Sequence, residues 1–485
     1  MLIGRLLGQY HSFPSQLKAS FWFLICSFVQ KGISVITTPI FTRLLTPAEY
    51  GLFSVFTSWL SIVTVIVTLN LFGGVYIQGL VKFEDRRRQY SSAMQGLCLT
   101  LVCVWAVVYF LFRDFWNGLF SLTTVQMTAM LVMVWTSSAF SFWATEQRVD
   151  YKYIKLVAIT LMVAVAKPAL GVFLVLHAED KVTARILGLA VVELAVYTWL
   201  FFAQLLRGRQ FCSWKVWKYA VLFNLPLIPH YLSGSILNTA DRIMIEKMVG
   251  ASEAGIYSLA NSVSLVMTLF NTSMLQTIEP WLYKKIKARD VGNISRVAYP
   301  AFIIIAGVNV ALMVCAPEVV AIFAPAEYYD AIWIIPPVAM SSYFMFAYTF
   351  FAVFEFYYEK THLIALATMS GAVLKLFLNY IFIDIFGYYA AGYTTLLCFM
   401  VYAAMHYIFM KKICHDYLAG VQPYCTKTFC TITLLFMLFG FASLFTYKMP
   451  ILRYSCIAVF ALAAVIKHGY IINTVKSLIN MKRNK

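Results

Sequence analysis

Long runs of apolar residues follow one another along the chain, with short polar segments between them. Each run is about twenty residues long, which is the length that an α-helix needs to cross the hydrocarbon core of a bilayer. The runs are too long for membrane β-strands and lack the alternation of polar and apolar positions that such strands show. Within lipid, a helix satisfies all of its own backbone polar groups. The pattern therefore predicts an all-α integral membrane protein with about fourteen transmembrane helices.

The predicted spans, numbered in chain order, are 20–41, 53–73, 91–112, 121–143, 155–176, 185–206, 219–241, 256–278, 297–316, 331–354, 362–383, 388–410, 428–447 and 452–472.

The composition supports a membrane protein and excludes a large soluble one. Hydrophobic residues make up 61% of the chain and charged residues only 12%, with a mean hydropathy of +0.77. A soluble domain carries about 25% charged residues. The apolar excess continues from Phe21 to Ile472 without a polar domain between, so lipid must be the solvent for most of this surface.

The basic residues fall mainly on one side of the predicted membrane. If the N-terminus is inside, the inner loops hold 26 of the 38 Lys and Arg residues, the outer loops hold 7, and the rest lie within spans. Cytoplasmic loops of membrane proteins are enriched in Lys and Arg. The asymmetry predicts that both termini are cytoplasmic. It also accounts for most of the net charge of +17, and it leaves no reason to expect a nucleic-acid partner.

A short segment recurs within the chain. Residues 43–54 resemble residues 247–258, which lie 204 positions later, and each copy occupies a predicted outer loop that enters an even-numbered span. Six spans separate the copies, so both halves run in the same direction through the membrane, as in transporters with parallel repeats. We therefore expect an N-terminal lobe at 1–215, a C-terminal lobe at 216–412, and two additional helices with a tail at 413–485.

Four stretches carry a resemblance to a known family. They are 39–51 (PIFTRLLTPAEYG), 225–230 (LPLIPH), 241–245 (DRIMI) with 253–258 (EAGIYS), and 379–392 (NYIFIDIFGYYAAG). With these stretches and about fourteen spans, the chain resembles the polysaccharide transporter branch of the multidrug, oligosaccharidyl-lipid and polysaccharide exporter superfamily, which includes Wzx-type O-antigen flippases.

The resemblance implies two six-helix lobes around a central cavity that opens alternately to each side of the bacterial inner membrane. The implied substrate is an oligosaccharide repeat unit, of O-antigen lipopolysaccharide or another surface polysaccharide, on an undecaprenyl pyrophosphate carrier. Further implied partners are membrane lipids, a proton or sodium counter-ion, and polysaccharide polymerase or ligase machinery. Lipid II flippases also have fourteen spans, so they stay a competing interpretation.

Cations inside predicted spans are candidate substrate ligands, because a charge at mid-bilayer is costly unless it faces a cavity or a partner. Lys31 lies on a polar face of the first span, and Lys375 lies on a similar face of the eleventh. In the seventh span, Asp241 and Arg242 follow a polar face near the outer end. A cationic cavity that binds a pyrophosphate explains these positions. The alternatives are polar faces that only hold helices together, and an Arg242 that Asp241 anchors.

Lys167 and Glu193 lie in consecutive predicted spans that run antiparallel. Lys167 is about 12 residues before the connecting turn and Glu193 about 10 after it, so their depths nearly agree at a rise of about 1.5 Å per residue. We expect the two side chains to pair. The pair is either a structural ion pair or a functional one, in which Lys167 joins the cavity cations and Glu193 exchanges a proton. Asp241 is a second candidate for ion coupling.

Other functional classes fit the sequence less well. A multidrug antiporter for cationic drugs would favour acidic cavity residues, and a membrane polysaccharide polymerase would need a long outer loop with clustered catalytic residues. The chain has no phosphate-binding glycine loop, so we do not expect ATP to be the direct energy source. Cys414, His415 and Cys425 share a basic loop, but their spacing fits no common zinc site. We expect a transporter without cofactor or metal, and not an enzyme.

The first prediction concerns topology. Reporter fusions placed after Lys485 and within the segment 284–296 should both report a cytoplasmic location, because Lys and Arg in these segments favour the inner side. The measurement is the activity of reporters that function on one side of the membrane only. An external signal from either fusion would contradict the predicted topology.

Overall fold

The apolar runs form α-helices in a computed structural model, which describes residues 14–466. Within that range the chain contains α-helices and short 3-10 helices and no β-strand. We number the α-helices α1 Ser15–Leu44, α2 Pro47–Thr68, α3 Gly74–Lys82, α4 Arg87–Leu111, α5 Arg113–Phe120, α6 Thr124–Val149, α7 Tyr153–His177, α8 Lys181–Gly208, α9 Trp214–Asn224, α10 Ile228–Met248, α11 Ala251–Lys287, α12 Ser295–Val314, α13 Ala316–Phe323, α14 Ile335–Tyr357, α15 Thr361–Phe386, α16 Ala390–Tyr417, α17 Thr426–Thr446 and α18 Pro450–Ile466.

Local sequence signals set several helix ends. The α6 helix begins with a capping box, in which the hydroxyl of Thr123 accepts from the backbone N–H of Gln126 and the Gln126 side chain accepts from the backbone N–H of Thr123. The Asp180 carboxylate accepts from the N–H of Thr183 and caps α8. These contacts satisfy donors that a helix leaves unpaired in its first turn. The helices thus begin at residues that favour a helix start.

Twelve helical segments within residues 14–466 are long and apolar enough to cross a bilayer. The predicted eighth span lies in α11, which is 37 residues long but falls outside these twelve. Polar residues such as Ser258, Ser264 and Asn271 lower its hydropathy. The predicted fourteenth span, 452–472, begins in α18, and its residues after Ile466 lie outside the described range. About fourteen helices therefore fit the expected fold class.

The first of two compact units comprises the chain up to Leu45 and Leu52–Ser235. Its apolar cores join α4 with α6 and α8, and they also include α3 and α9. The α7 and α8 helices approach at glycine, since a Cβ at Gly188 would lie 2.7 Å from the Cα of Gly171. This contact brings the polar side chains one to two turns away on both helices close together.

The second unit comprises Thr46–Gly51 and the chain from Ile236 onward. Its core is organised around α14, of which 83% of the apolar window is buried. The phenylalanines and tyrosines of α14 pack against α12, α16 and α17, with contacts from α11. A helix apolar on all sides is expected at the centre of a membrane bundle, because every face meets another helix.

The two copies of the repeated segment share the same local structure. Each copy starts a long helix: α2 begins at Pro47 and α11 at Ala251. The first turn of α2, which belongs to the second unit, packs directly on the first turn of α11. A Cβ at Gly51 would lie 1.9 Å from the Ala251 carbonyl oxygen, and a Cβ at Gly255 would lie 1.9 Å from the Pro47 carbonyl oxygen. The repeated glycines therefore permit a reciprocal backbone contact.

This contact generates the second prediction. Gly51→Ala and Gly255→Ala should each lower the free energy of unfolding by about 1–3 kcal/mol, because the added methyl group has no space beside the opposing carbonyl oxygen. The measurement is thermal unfolding of the purified protein in detergent. Gly307→Ala is the matched control in α12, since a Cβ there has no neighbour within 4 Å and alanine favours a helix. Equal stability of all three variants would contradict the close contact.

Candidate functional site

A cavity of about 260 Å³ lies within the first unit, between α1, α2, α7 and α8. Its polar lining includes Gln30, Ser34 and Thr37 of α1 and Thr160 of α7. Its other lining residues are Ile33, Phe41, Phe53, Val163, Ala164, Lys167, Pro168, Gly171, Arg185, Leu189 and Tyr197. Hydroxyl, amide and cationic groups thus face one space inside a membrane protein, and such groups recognise polar or anionic ligands.

The predicted pairing of Lys167 with Glu193 is confirmed. The Nζ of Lys167 lies 2.5 Å from the Oε1 of Glu193, and the Oε2 of Glu193 accepts from the Thr136 hydroxyl at 3.1 Å. The exposed fractions of the two side chains are 25% for Lys167 and 5% for Glu193. The carboxylate is therefore buried behind the lysine, whose ammonium group borders the cavity. The charges of Lys167 and Glu193 thus compensate each other, and Lys167 is the more accessible of the two side chains.

Arg185 is a second cation of the cavity. Its guanidinium lies 3.9 Å from the ring centroid of Phe41 and 3.5 Å from that of Phe53, which are cation–π distances. The sixth predicted span, 185–206, begins at Arg185, but α8 begins at Lys181, so Arg185 lies in its second turn and is buried. The signal for this earlier start is the capping residue Asp180.

The structure places Lys31 on α1, on the turn before Ser34 and next to Gln30 in sequence. Its side chain is partly exposed. Ser34, one member of the predicted polar face, lines the cavity together with Gln30 and Thr37. Three polar residues of α1 that are close to Lys31 in sequence thus line the cavity. The role of Lys31 as a substrate ligand stays a prediction.

Lys375 occupies a different environment in the second unit. Its Nζ lies 2.6 Å from the Oδ2 of Asp241 and donates to the Leu237 carbonyl oxygen at 2.6 Å. Asp241 also accepts from Asn379 at 2.8 Å and from the Tyr257 hydroxyl at 2.8 Å. Only 1% of the Lys375 side chain is exposed. The network joins α10, α11 and α15, and α16 adds the hydroxyl of Thr395.

This network bears on two expectations. The Lys375 side chain, which the sequence placed in a cationic cavity, is paired with Asp241 and closed off from water in this conformation. Within residues 14–466 the ion pair of Asp241 is with Lys375, so the alternative in which Asp241 anchors Arg242 is not the arrangement seen here. Arg242 is partly exposed. The polar face of α15 acts here as contact surface between helices.

The N-terminal part of the chain matches a known protein family. Residues 16–286, more than half of the sequence, match the family described as "Polysaccharide biosynthesis protein". The chain belongs to the polysaccharide biosynthesis protein family. A relative in this group is the Lsg locus putative protein 1 of Haemophilus influenzae, which is 23% identical over 384 residues, covering 74% of this chain and 88% of the relative.

Solved structures show the same fold as this family member. The lipid II flippase MurJ in an inward closed conformation aligns with a TM-score of 0.66 and 12% identity, over 92% of this chain and 99% of that one. An inward-facing multidrug resistance MATE family transporter of the MOP superfamily aligns with a TM-score of 0.59 and 12% identity, over 81% and 95%. The fold of this chain is therefore that of MATE and MurJ transporters.

The third prediction concerns the buried network of Asp241. Asp241→Asn should destabilise the protein by about 3–5 kcal/mol, because it leaves the buried Lys375 ammonium without an anion. The double variant Asp241→Asn with Lys375→Met should lose less than the sum of the two single variants. The measurement is thermal unfolding in detergent, with Glu246→Gln as a control that changes another carboxylate of α10. Additive effects of the two changes would contradict a direct ion pair.

Proposed function

We propose that the protein is a flippase that translocates undecaprenyl-pyrophosphate-linked oligosaccharide repeat units across the bacterial cytoplasmic membrane. The lobes at 1–215 and 216–412 would open alternately to the two sides, with both termini in the cytoplasm. Membership in the polysaccharide biosynthesis family and the MurJ-like fold support the class of transporter. The feature that supports the substrate is the charge of the cavity in the first unit.

The cavity combines the groups that a glycosylated pyrophosphate requires. Lys167 and Arg185 are the charged side chains among the lining residues, and Glu193, the partner of Lys167, is not one of them. Hydroxyl and amide groups of Gln30, Ser34 and Thr37 supply hydrogen bonds. Lysine binds phosphate as a point charge, and the planar guanidinium of arginine can bind it in a bidentate manner.

Lys31, Lys167, Lys375 and Arg242 are proposed substrate ligands at different stages of transport. Lys167 and Lys31 are accessible without breaking the fold, since both side chains are partly exposed. Lys375 can bind substrate only after its ion pair with Asp241 opens. A proton or sodium ion would serve as counter-ion, with Glu193 and Asp241 as the proposed coupling groups. Polymerase or ligase machinery would use the flipped product.

The cavity charge also weighs on the alternatives. A carrier of cationic drugs would favour acidic groups in its cavity, whereas the charged side chains that line the cavity in the first unit are Lys167 and Arg185. A lipid II flippase stays the alternative closest in chemistry, because lipid II also carries a glycosylated pyrophosphate. A polysaccharide polymerase is the least supported alternative, because the predicted outer loops at 113–119 and 317–330 fold largely into short helices, α5 and α13.

The fourth prediction tests charge against polarity. At Lys31, Lys167 and Lys375, arginine should retain partial activity, glutamine should lose about tenfold to a hundredfold, and glutamate should lose more, because the interaction with the pyrophosphate is mainly Coulombic. The activity of Arg185→Gln should be as low as that of the other glutamine variants. The activity of Arg185→Lys should lie between that of the glutamine variants and that of wild type. The measurement is surface polysaccharide in a flippase-deficient strain, divided by the amount of each variant in the membrane.

Lys152→Gln is the control, because Lys152 is an exposed cation of the first unit that pairs with Asp150 outside the cavity. Its activity should equal that of wild type. If glutamine and glutamate at Lys31, Lys167 and Lys375 also match wild type, the cations are incidental and the proposed pyrophosphate contact is wrong.

A further inference from the structure

The second unit contains an acid–base pair that the proposed substrate site does not use. Glu355 lies near the end of α14 and His406 lies in α16, and the Nδ1 of His406 is 2.7 Å from the Oε1 of Glu355. Both side chains have an exposed fraction of 0%. A carboxyl group and an imidazole are thus in direct hydrogen-bonding contact, with water excluded.

The surroundings of the pair contain no compensating cation. Within residues 14–466, neither Glu355 nor His406 forms an ion pair with a lysine or arginine. The rings of Tyr348 from α14 and Tyr402 from α16 pack on the imidazole, with centroids 5.3 and 4.5 Å away. The Tyr402 hydroxyl is 3.4 Å from that of Thr368 on α15. The further charged group on this side is Glu279 of α11, which interacts with Tyr348.

The number of protons on the pair follows from its burial. With one proton the pair is neutral overall, either as carboxylic acid and imidazole or as carboxylate and imidazolium. With none it carries a buried negative charge, and with two a buried positive charge. An uncompensated charge in a dry protein interior is strongly unfavourable. The closed site therefore holds one proton.

The hydrogen bonding of the pair is incomplete in a way that the Lys375–Asp241 network is not. Within the described residues, Oε2 of Glu355 and Nε2 of His406 have no hydrogen-bond partner. By contrast, both oxygens of Asp241 accept hydrogen bonds and its charge is compensated by Lys375. Water that reaches Glu355 and His406 would hydrate both unfilled atoms, so the pair gains more from opening than the saturated network does.

We propose that Glu355 and His406 form a proton-binding site that holds one proton when closed and releases it when water enters. In water the imidazole has a pKa near 6.5 and the carboxyl group one near 4.3, so the hydrated pair loses the shared proton above about pH 6.5. Closing the site must then take up a proton. A ligand that binds one of two conformations more tightly shifts the equilibrium toward it, and here the proton stabilises the closed conformation.

This inference rests on the proposed function for its physiological role, in which the site would carry the proton counter-ion. Glu355 lies two residues before the end of α14 at Tyr357, and the following loop contains Lys360, one of the predicted cytoplasmic basic residues. Glu355 is therefore close to the predicted cytoplasmic end of α14. Opening toward that side would release the proton there, so substrate movement and proton movement become linked through one conformational change.

Amide hydrogen exchange measures the opening without any substrate. The purified full-length protein in lipid nanodiscs would be studied from pH 5.5 to 8.5, following peptides from the second half of α14 and the middle of α16. After correction for intrinsic exchange, opening in wild type should be flat below about pH 6.5 and increase up to about tenfold per pH unit above it, because one proton is released on opening.

Glu355→Gln should reverse the direction of the pH dependence and His406→Gln should move its onset, whereas the loss of a merely structural hydrogen bond would change neither. In Glu355→Gln the closed site holds a neutral imidazole and the open site can bind a proton, so opening should increase as pH falls below about 6.5 and be flat above it. In His406→Gln the remaining carboxyl group should shift the onset to about pH 4.3, which gives an increase across the whole range. Ser342→Ala is the control. It removes a buried hydroxyl of α14 that bonds Asn309, and its pH profile should match wild type.

Each outcome decides one claim. A flat wild-type profile, or a Glu355→Gln profile with the same sign as wild type, would overturn the proton site whatever the export assay shows. The expected signs combined with wild-type polysaccharide export by Glu355→Gln, corrected for its abundance, would overturn the coupling to transport. The expected signs with no polysaccharide export by wild type would support the proton site and overturn the proposed substrate instead.

Discussion

A lysine within a helix that crosses a bilayer needs an anion beside it, and Lys167 and Lys375 satisfy this need in different ways. Lys167 pairs with Glu193 on the consecutive helix α8, at a point where glycines let α7 and α8 approach closely. Lys375 pairs with Asp241 on α10, far away in sequence, inside a network that joins several helices. The burial of charge thus fixes helix neighbours in both units.

The degree of exposure separates the roles open to these two pairs. A quarter of the Lys167 side chain is exposed next to a cavity that also contains Arg185. Its ammonium can therefore contact an anion while Glu193 still holds it in place. Lys375 is almost fully buried, and its ammonium group already contacts a carboxylate oxygen of Asp241 and the carbonyl oxygen of Leu237. Opening that pair changes the packing of α10 on α15, so its energetics favour a conformational role over direct binding in the closed state.

Sequence reasoning succeeded where local rules determine the outcome. Apolar length predicted the helices, and the antiparallel arrangement of consecutive helices predicted the pairing of Lys167 with Glu193, because depth and adjacency both follow from the connecting turn. The partner of Lys375 could not be predicted this way, since only tertiary packing brings α10 and α15 together. The start of α8 was predicted four residues too late, at Arg185, because hydropathy alone does not locate a capped helix start. Glu355 and His406 pair across two helices, α14 and α16, and apolar length gave no sign of their contact.

The repeated segment shows why a motif can identify a fold without identifying a substrate. In its first copy, Glu49 accepts from the backbone N–H and the hydroxyl of Thr46 and so caps α2, where a carboxylate also suits the positive end of the helix dipole. Gly51 and Gly255 permit the reciprocal contact between helix starts. Glu49, Gly51 and Gly255 thus act in helix initiation or close packing, and none of these three residues lines the cavity. The chemistry of the cargo must therefore be read from the cations that surround the cavity, whose positions the repeat does not determine.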